Sequence, residues 1–454
     1  MAMQTLNPAT GEKIKSFETW SESELQQALQ DTSEAFVTWR STAIEQRAVL
    51  MKKAAHELKS NVGRYADIIT LEMGKPIKEA KAEIKKCAWV CEFYADNAAT
   101  FLADDRIESD AGKSFVAYLP LGTVLAVMPW NYPFWQVFRF AAPSLMAGNT
   151  GVLKHASNVP QCALAIEEVF RNAGFPKNVF RSLMISASQV KAVVEDSRIH
   201  AVTLTGSEPA GRQVAATAGG AIKKSVLELG GSDAFVVLDD ADLDAATAAG
   251  VISRFTNNGQ SCIAAKRFIV DNSIADDFLQ RFKKKIESMR VGDPTQDDTD
   301  LGPMARLDLR DELHIQVDES IKQGATAALG CQPINGDGAY YEPSILDNVV
   351  PGIRAYDEEL FGPVAIIIRA KDEDDALRIA NSSRFGLGGS VWTQDNERGE
   401  RFARRMESGA TFVNGLVKSD PRLPFGGIKA SGYGRELSLH GIREFVNAKT
   451  IWIK

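Results

Sequence analysis

Residues 122–135 read "GTVLAVMPWNYPFW". A short β-branched apolar run meets an aromatic loop, and Pro133 is set to open a helix, because the N–H that proline lacks has no partner in a first helical turn anyway. Upstream the chain reads helical. "SESELQQALQDTSEAFVTWR" carries a capping box at Ser21 and Glu24, and "STAIEQRAVLMKKAAHELKS" and "PIKEAKAEIKKCAWVCEFYADNAATFL" follow with apolar residues at three and four spacing. Downstream, the runs "TGVLKHA", "AVTLTG", "DAFVVLDD", "KRFIVD", "PVAIIIRA" and "GATFVNG" alternate with helical stretches such as "PQCALAIEEVFRNAG". That alternation predicts an α/β fold with parallel sheets, and the strands suffice for two of them.

The 454 residues exceed one compact domain, and a composition 44% hydrophobic and 24% charged is that of an ordinary globular protein. A net charge of −7 offers no basic stripe for nucleic acid. No run of about eighteen apolar residues predicts a membrane span, and the first residues lack a basic segment followed by an apolar one. The five cysteines, Cys87, Cys91, Cys162, Cys262 and Cys331, are scattered and odd in number, which argues against a disulfide framework and for a reducing cytoplasm. The five histidines are spaced neither as a metal pair nor near a nucleophile, so no metal site is expected.

Three stretches carry candidate chemistry. In "FTNNGQSC" (255–262) small and polar residues bring the backbone close to the Cys262 sulfur, a candidate nucleophile. In "LELGGSDAFVV" (227–237) Glu228 lies between two leucines, an apolar setting that raises a carboxyl toward the range of a general base; a helix-end Glu paired to Lys223 or Lys224 is the plainer reading. In "MPWNYPFW" (128–135) Asn131 offers an amide donor for a developing oxyanion, or else a turn Asn bonded to its own backbone.

Taken in order and at these separations, "PWNYP", "VLELGGSD", "NNGQSC", "EELFGPV" and "PFGGIKASGYGRE" resemble the aldehyde dehydrogenase superfamily over essentially the whole chain, nearest its succinate-semialdehyde subgroup. The resemblance implies a Rossmann-like cofactor domain, an α/β catalytic domain and a small β oligomerisation arm. It implies attack by Cys262 on an aldehyde, an oxyanion held by Asn131 and the Cys262 N–H, and a thioester hydrolysed by water that Glu228 activates. Relatives that pass the acyl group to coenzyme A need no such base, so "LELGG" favours hydrolysis.

No G-x-G-x-x-G follows a strand. "TLTGSEPAG" supplies Gly206, Ser207 and Gly211 between a strand and a helix whose N-terminus can receive a pyrophosphate. By resemblance Lys154 contacts the adenosine ribose, Trp130 lines the cofactor site, and Glu359 and Phe361 hold the nicotinamide ribose and ring. Ser157 stands where many NAD-using relatives carry Glu; a hydroxyl leaves room for a 2′-phosphate, which predicts NADP in preference to NAD, and the same serine can cap the next helix.

For the substrate, Arg139 is the one charge in "FWQVFRFAAPSLMAG" and shares a face with Trp135. A buried guanidinium wants an anion: a substrate carboxylate, or an internal Glu. By resemblance Arg139 and Ser419 bind the carboxylate. Thr256 replaces a second arginine of many such enzymes, leaving carboxylate binding weaker or completed by another residue, and Ala264 replaces a second cysteine. The expectation is oxidation of succinic semialdehyde to succinate, with glutarate-semialdehyde or broad aliphatic aldehyde oxidation as the alternative and a non-catalytic binding protein on the same fold as the remote one. The expected ranges are 1–101 and 121–229 for the cofactor domain, 230–428 for the catalytic domain, and 102–120 with 440–454 for the arm. The terminal "KTIWIK" pairs with "KSFVAYLPLG" within one subunit or serves a homodimer or homotetramer contact.

Overall fold

The computed structural model describes residues 3–454. The Thr123–Met128 strand lies between Thr150–His155 and Ile199–Thr205, parallel to both, with Thr123 opposite Thr150 and Met128 opposite His155. Phe180–Ser182, Lys224–Glu228 and the antiparallel Gly432–Tyr433 complete a six-stranded sheet. Its central strands are apolar and buried on both faces, as a sheet covered by helices on each side requires.

A seven-stranded sheet runs in the order Thr326–Leu329, Ser344–Asp347, Val364–Ala370, Ala265–Asp271, Asp233–Val237, Gly388–Trp392, Ala410–Val413, and every pairing but the first is parallel. The Gly388–Trp392 strand escapes a reading by β-propensity because it opens with two glycines. Both are needed: a Cβ at Gly388 would meet Asp233 and Val417, and one at Gly389 would meet Met406.

The first hundred residues are not wholly helical. An antiparallel hairpin, Met3–Leu6 with Lys13–Phe17, precedes the helices Glu22–Trp39, Ile44–Ser60, Val62–Met73 and Ile77–Phe101. Lys13–Phe17 is largely exposed, so it has no buried face to leave an alternating pattern in the sequence. Ser21 and Glu24 do form the capping box.

The C-terminal strand Val446–Ile453 pairs along its whole length with Lys113–Pro120, and Asp105–Arg106 adds a third strand on the other side. This pairing lies within the chain, while Trp452 and Ile453 remain half exposed. Among the described residues no helix is long and apolar enough to cross a membrane.

Helix Trp135–Met146 follows the aromatic loop and is buried on every side. Its first turn has no side-chain cap of its own. Glu83, from helix Ile77–Phe101, supplies one: it accepts the N–H groups of Phe134 and Trp135, each at 2.9 Å, which sets a negative charge at the helix N-terminus. The other carboxylate oxygen pairs with the buried Lys75 ammonium, which lies 3.7 Å from the Tyr132 ring centroid. One ion pair thus fixes the loop that carries Asn131. Lys75→Met leaves this carboxylate buried without its cation, at an expected cost of about 3–5 kcal/mol. A fall in the urea midpoint checks this; an unchanged midpoint contradicts it.

Candidate active site

Helix Leu243–Phe255 ends at a turn in which Asn257, Asn258 and Gly259 all adopt positive φ, at 56°, 56° and 72°. Asn and Gly are the residues that tolerate this left-handed region, so "NNG" is legible as a reversal. The side chains then fasten the loop. Asn257 Nδ2 donates to the carbonyls of Asn131 (2.8 Å) and Gln260 (3.0 Å), and Asn258 Nδ2 donates to that of Pro303 (2.7 Å). Gln260 Oε1 accepts from Ala305 N at 2.9 Å. Arg254, fully buried, donates to the carbonyls of Gly259 (2.9 Å), Leu360 (3.1 Å) and Gly362.

Cys262 emerges half-buried from this loop. Asn131 Nδ2 donates to the Gln260 carbonyl at 3.0 Å, so the amide spans the two loops rather than folding onto its own backbone, and among the described residues its side chain makes no other hydrogen bond. Gly230 and Gly231 are close-approach positions: a Cβ on the first would run into the Glu359 carboxylate, and one on the second would lie 2.7 Å from the Cys262 carbonyl.

Glu228 ends the Lys224–Glu228 strand, not a helix; Lys223 is bound to the Val194 and Asp196 carbonyls and Lys224 to Glu444. Its carboxyl is buried and, among the described residues, accepts no hydrogen bond. Burial pushes its pKa well up, the neighbouring Glu436 carboxyl adds to this, and Arg139 opposes both. Arg139 is not unpartnered. Its guanidinium, 2% exposed, pairs with Glu436, 5% exposed, and lies 4.4 Å from the Phe425 ring centroid. The internal Arg–Glu pair is therefore the arrangement found, and "GYGRE" contained its acid.

A cavity of about 320 Å³ exposes Cys262 together with Trp135, Arg139, Thr256 and Ser419. The Ser419 hydroxyl accepts from Trp135 Nε1 at 3.0 Å and from Lys86 Nζ at 2.8 Å. Asn131 and Glu228 do not line this cavity; Asn131 is bound to Gln260 of the Cys262 loop, and Glu228 feels the charges of Arg139 and Glu436. Lys86 and Glu79, which do line it, went unread in the sequence. Their signal was a charged stripe, Glu79, Glu83 and Lys86, at helical spacing beside the apolar one.

Near the carboxyl ends of three strands of the six-stranded sheet, Lys154 opens into a second cavity, of about 380 Å³, walled by Val127, Val190, Leu204, Ala210 and Val214. Burial lowers its pKa and no carboxylate offsets this, so its ammonium suits a polyanion. Ser207 is the N-cap of helix Glu208–Gly220 but caps nothing with its hydroxyl, which leaves the helix N-terminus free for a pyrophosphate. Gly211 lets that helix close on Leu229. Ser157 is exposed and is not a helix cap either, since Val159 holds that position before Pro160–Asn172. Phe361 packs edge-on to Trp130, centroids 5.9 Å apart. Glu359 accepts from Gly231 N and from Lys266, each at 3.1 Å. These groups fit a dinucleotide phosphate. Among the described residues no cluster of His, Cys, Asp or Glu is placed to hold a metal ion.

Burial pushes the Cys262 thiol up to about 12, against the pull of Arg139 and Lys266. The ligand-free protein therefore holds it protonated at neutral pH. Its alkylation by iodoacetamide is expected to keep accelerating through pH 9; a plateau near pH 8 would show a thiolate already stabilised.

The model of the aldehyde dehydrogenase family matches residues 1–451. The chain is 52% identical, over the full length of both proteins, to a probable succinate-semialdehyde dehydrogenase [NADP(+)] of Synechocystis sp., and 50% identical to a succinate-semialdehyde dehydrogenase [NADP(+)] of Mycobacterium avium across 100% of this chain and 97% of that protein. The crystal structure of a succinic semialdehyde dehydrogenase from Streptococcus pyogenes in complex with NADP+ superposes with a TM-score of 0.98, at 37% identity and full coverage of both chains. This protein belongs to the aldehyde dehydrogenase family.

Proposed function

We propose that this protein oxidises succinic semialdehyde to succinate, with NADP as the preferred and NAD as the weaker hydride acceptor. The observation that carries this is one cavity that exposes Cys262 and, in the same wall, the Ser419 hydroxyl, whose oxygen accepts the Trp135 indole N–H and whose proton suits a carboxylate. The names of the relatives from Synechocystis sp. and Mycobacterium avium support the same substrate and cofactor.

The chemistry follows from the residues. The ligand-free thiol is protonated and loses its proton before it attacks, and the base role assigned to Glu228, whose carboxyl burial pushes well up, is the later one on water. The Cys262 thiolate adds to the aldehyde carbon, and the free proton of the Asn131 amide with the Cys262 N–H stabilises the oxyanion. A dinucleotide, when bound beside Lys154, Ser157 and Ser207, supplies the acceptor for the hydride that turns the adduct into a thioester. Glu228 then deprotonates a water that attacks the acyl carbon, the C–S bond breaks, and Cys262 is returned. Gly426 packs beside the Glu228 carboxyl, where a Cβ would lie 2.7 Å from its Oε1.

The half-exposed apolar end of the Lys113–Pro120 and Val446–Ile453 sheet supports a homodimer or homotetramer built through that sheet. The ranges 1–101 with 121–229, 230–428, and 102–120 with 440–454 serve as cofactor domain, catalytic domain and arm.

With saturating NADP, kcat/KM for succinic semialdehyde is expected to exceed that for butyraldehyde by about a hundredfold or more, the discrimination typical of a site built around a polar substrate group. Equal values leave only a broad aliphatic aldehyde dehydrogenase. Ser157→Glu places a carboxylate where the 2′-phosphate is expected and should lower kcat/KM for NADP at least about tenfold relative to NAD; an unchanged ratio removes Ser157 from cofactor selection.

A further inference from the structure

We propose that Lys266 exchanges its counter-ion when the dinucleotide binds: Glu359 holds it in the ligand-free protein, and Asp233 receives it once the Glu359 carboxylate turns to the nicotinamide ribose. The Cys262 loop is thereby pinned in both states. This rests on the reading of Glu359 and Phe361 as the nicotinamide end of the cofactor site.

The backbone sets Lys266 beside Asp233. In the parallel pairing of Asp233–Val237 with Ala265–Asp271, Asp233 lies opposite Ala265 and Ala234 opposite Arg267, so the ladder skips Lys266. A residue left out of a ladder is re-aimed, and such irregularities gather next to active sites. Lys266 aims at the nucleophile loop. Its buried ammonium donates to the carbonyls of Ser261 (2.8 Å) and Cys262 (2.9 Å) and pairs with Glu359 Oε1 at 3.1 Å. Those three contacts occupy its three N–H groups. Asp233 approaches the same place: a Cβ on Gly231 would lie 2.7 Å from the Cys262 carbonyl and 3.0 Å from Asp233 Oδ1.

Asp233 has an oxygen to offer. Its Oδ1 accepts the Gly388 N–H at 3.0 Å, while Oδ2 is buried and, among the described residues, accepts no hydrogen bond. Glu359, by contrast, faces a ligand. It borders a cavity of about 420 Å³ together with Phe361, Leu309 and Gln316. Its carboxylate suits the hydroxyls of a ribose and the positive charge of an oxidised nicotinamide. Once drawn that way, Glu359 leaves a buried ammonium with one N–H group and its charge unmatched, which is costly. Asp233 Oδ2 is placed to match both.

Protonation makes the exchange measurable. Burial pushes the Asp233 carboxyl up to about 7; Lys266, the Gly388 N–H and Arg267 pull it down, and Glu359 adds to the rise. Arg267 itself bonds to the carbonyls of Ser232, Ile379 and Ala380, and the Cys262 thiol, the remaining titratable group that senses Asp233, is protonated. A direct bond to Lys266 lowers the Asp233 value, and the departure of Glu359 lowers it further. Binding therefore releases a proton near pH 7.

The test is calorimetric titration with NADP at pH 7, in buffers of different ionisation enthalpy. It compares Cys262→Ser, which removes the thiol as a proton source, with the double variant Cys262→Ser, Asp233→Asn, whose amide keeps an oxygen for the Gly388 N–H. The single variant is expected to release more protons than the double one, and the double variant to bind NADP about tenfold more weakly, because Lys266 then has no second carboxylate. Equal proton release overturns the proposal and leaves the cofactor assignment standing. Failure of Cys262→Ser to bind NADP or NAD removes the cofactor assignment, and this inference with it. If the double variant does not fold, a crystal structure of Cys262→Ser with NADP decides. Lys266 Nζ within hydrogen-bond reach of Asp233 Oδ2 supports the exchange; an ammonium still on Glu359, or one that leaves it without meeting Asp233, overturns it.

Discussion

The site depends on one strained reversal, the three consecutive left-handed residues Asn257, Asn258 and Gly259. A left-handed conformation costs a non-glycine residue about 1–2 kcal/mol, so two asparagines carry a real penalty. It is offset by side-chain amides that reach the backbone of Asn131, Gln260 and Pro303, and by Arg254. That guanidinium is wholly buried and bonds only to carbonyls; burial lowers its pKa to about 9. Such a cation is expensive to keep. What it holds together explains its presence: Gly259 belongs to the nucleophile loop, and Leu360 and Gly362 flank Phe361 beside Glu359. Arg254 thus ties the loop that presents the thiol to the loop that faces Trp130, and Lys266 bridges the same two.

Three more buried cations close on a carboxylate. Lys75 and Glu83 close on each other and cap the helix that carries Arg139. Arg139 closes on Glu436, which places a spent cation and a carboxyl beside Glu228 and helps to keep that group basic. Lys266 closes on Glu359 and on the carbonyls of Ser261 and Cys262. Against this background the Glu228 carboxyl stands without a hydrogen bond among the described residues, and burial keeps the Cys262 thiol protonated.

Much of this was legible in the residues. The βαβ alternation after residue 122 is a consequence of buried parallel strands, and the structure has two such sheets. Cys262, Asn131 and Glu228 were legible because each sits in a short motif whose neighbours have a local reason to be there: glycines at Gly230 and Gly231 for close approach, asparagines for the left-handed turn. Pair partners were not legible. Arg139 read as a cation seeking an anion, and its anion lies almost three hundred residues later in sequence. Lys86 and Glu79 were hidden in a helix whose apolar stripe claims attention, since periodicity reports which face is buried and not which charged residue borders a cavity. The Lys13–Phe17 and Gly388–Trp392 strands were lost for opposite reasons, one being too exposed to alternate and the other too rich in glycine to resemble a strand.

The central claim is that Cys262 carries the acyl group and Glu228 activates the water that removes it. The direct measurement is intact-protein and peptide mass spectrometry on Glu228→Gln mixed with succinic semialdehyde and NADP and quenched in acid. The account predicts one equivalent of reduced cofactor formed in a burst, with a succinyl group accumulating on the peptide that contains Cys262. A burst without an acyl adduct, or an adduct on any of the four other cysteines, would contradict it.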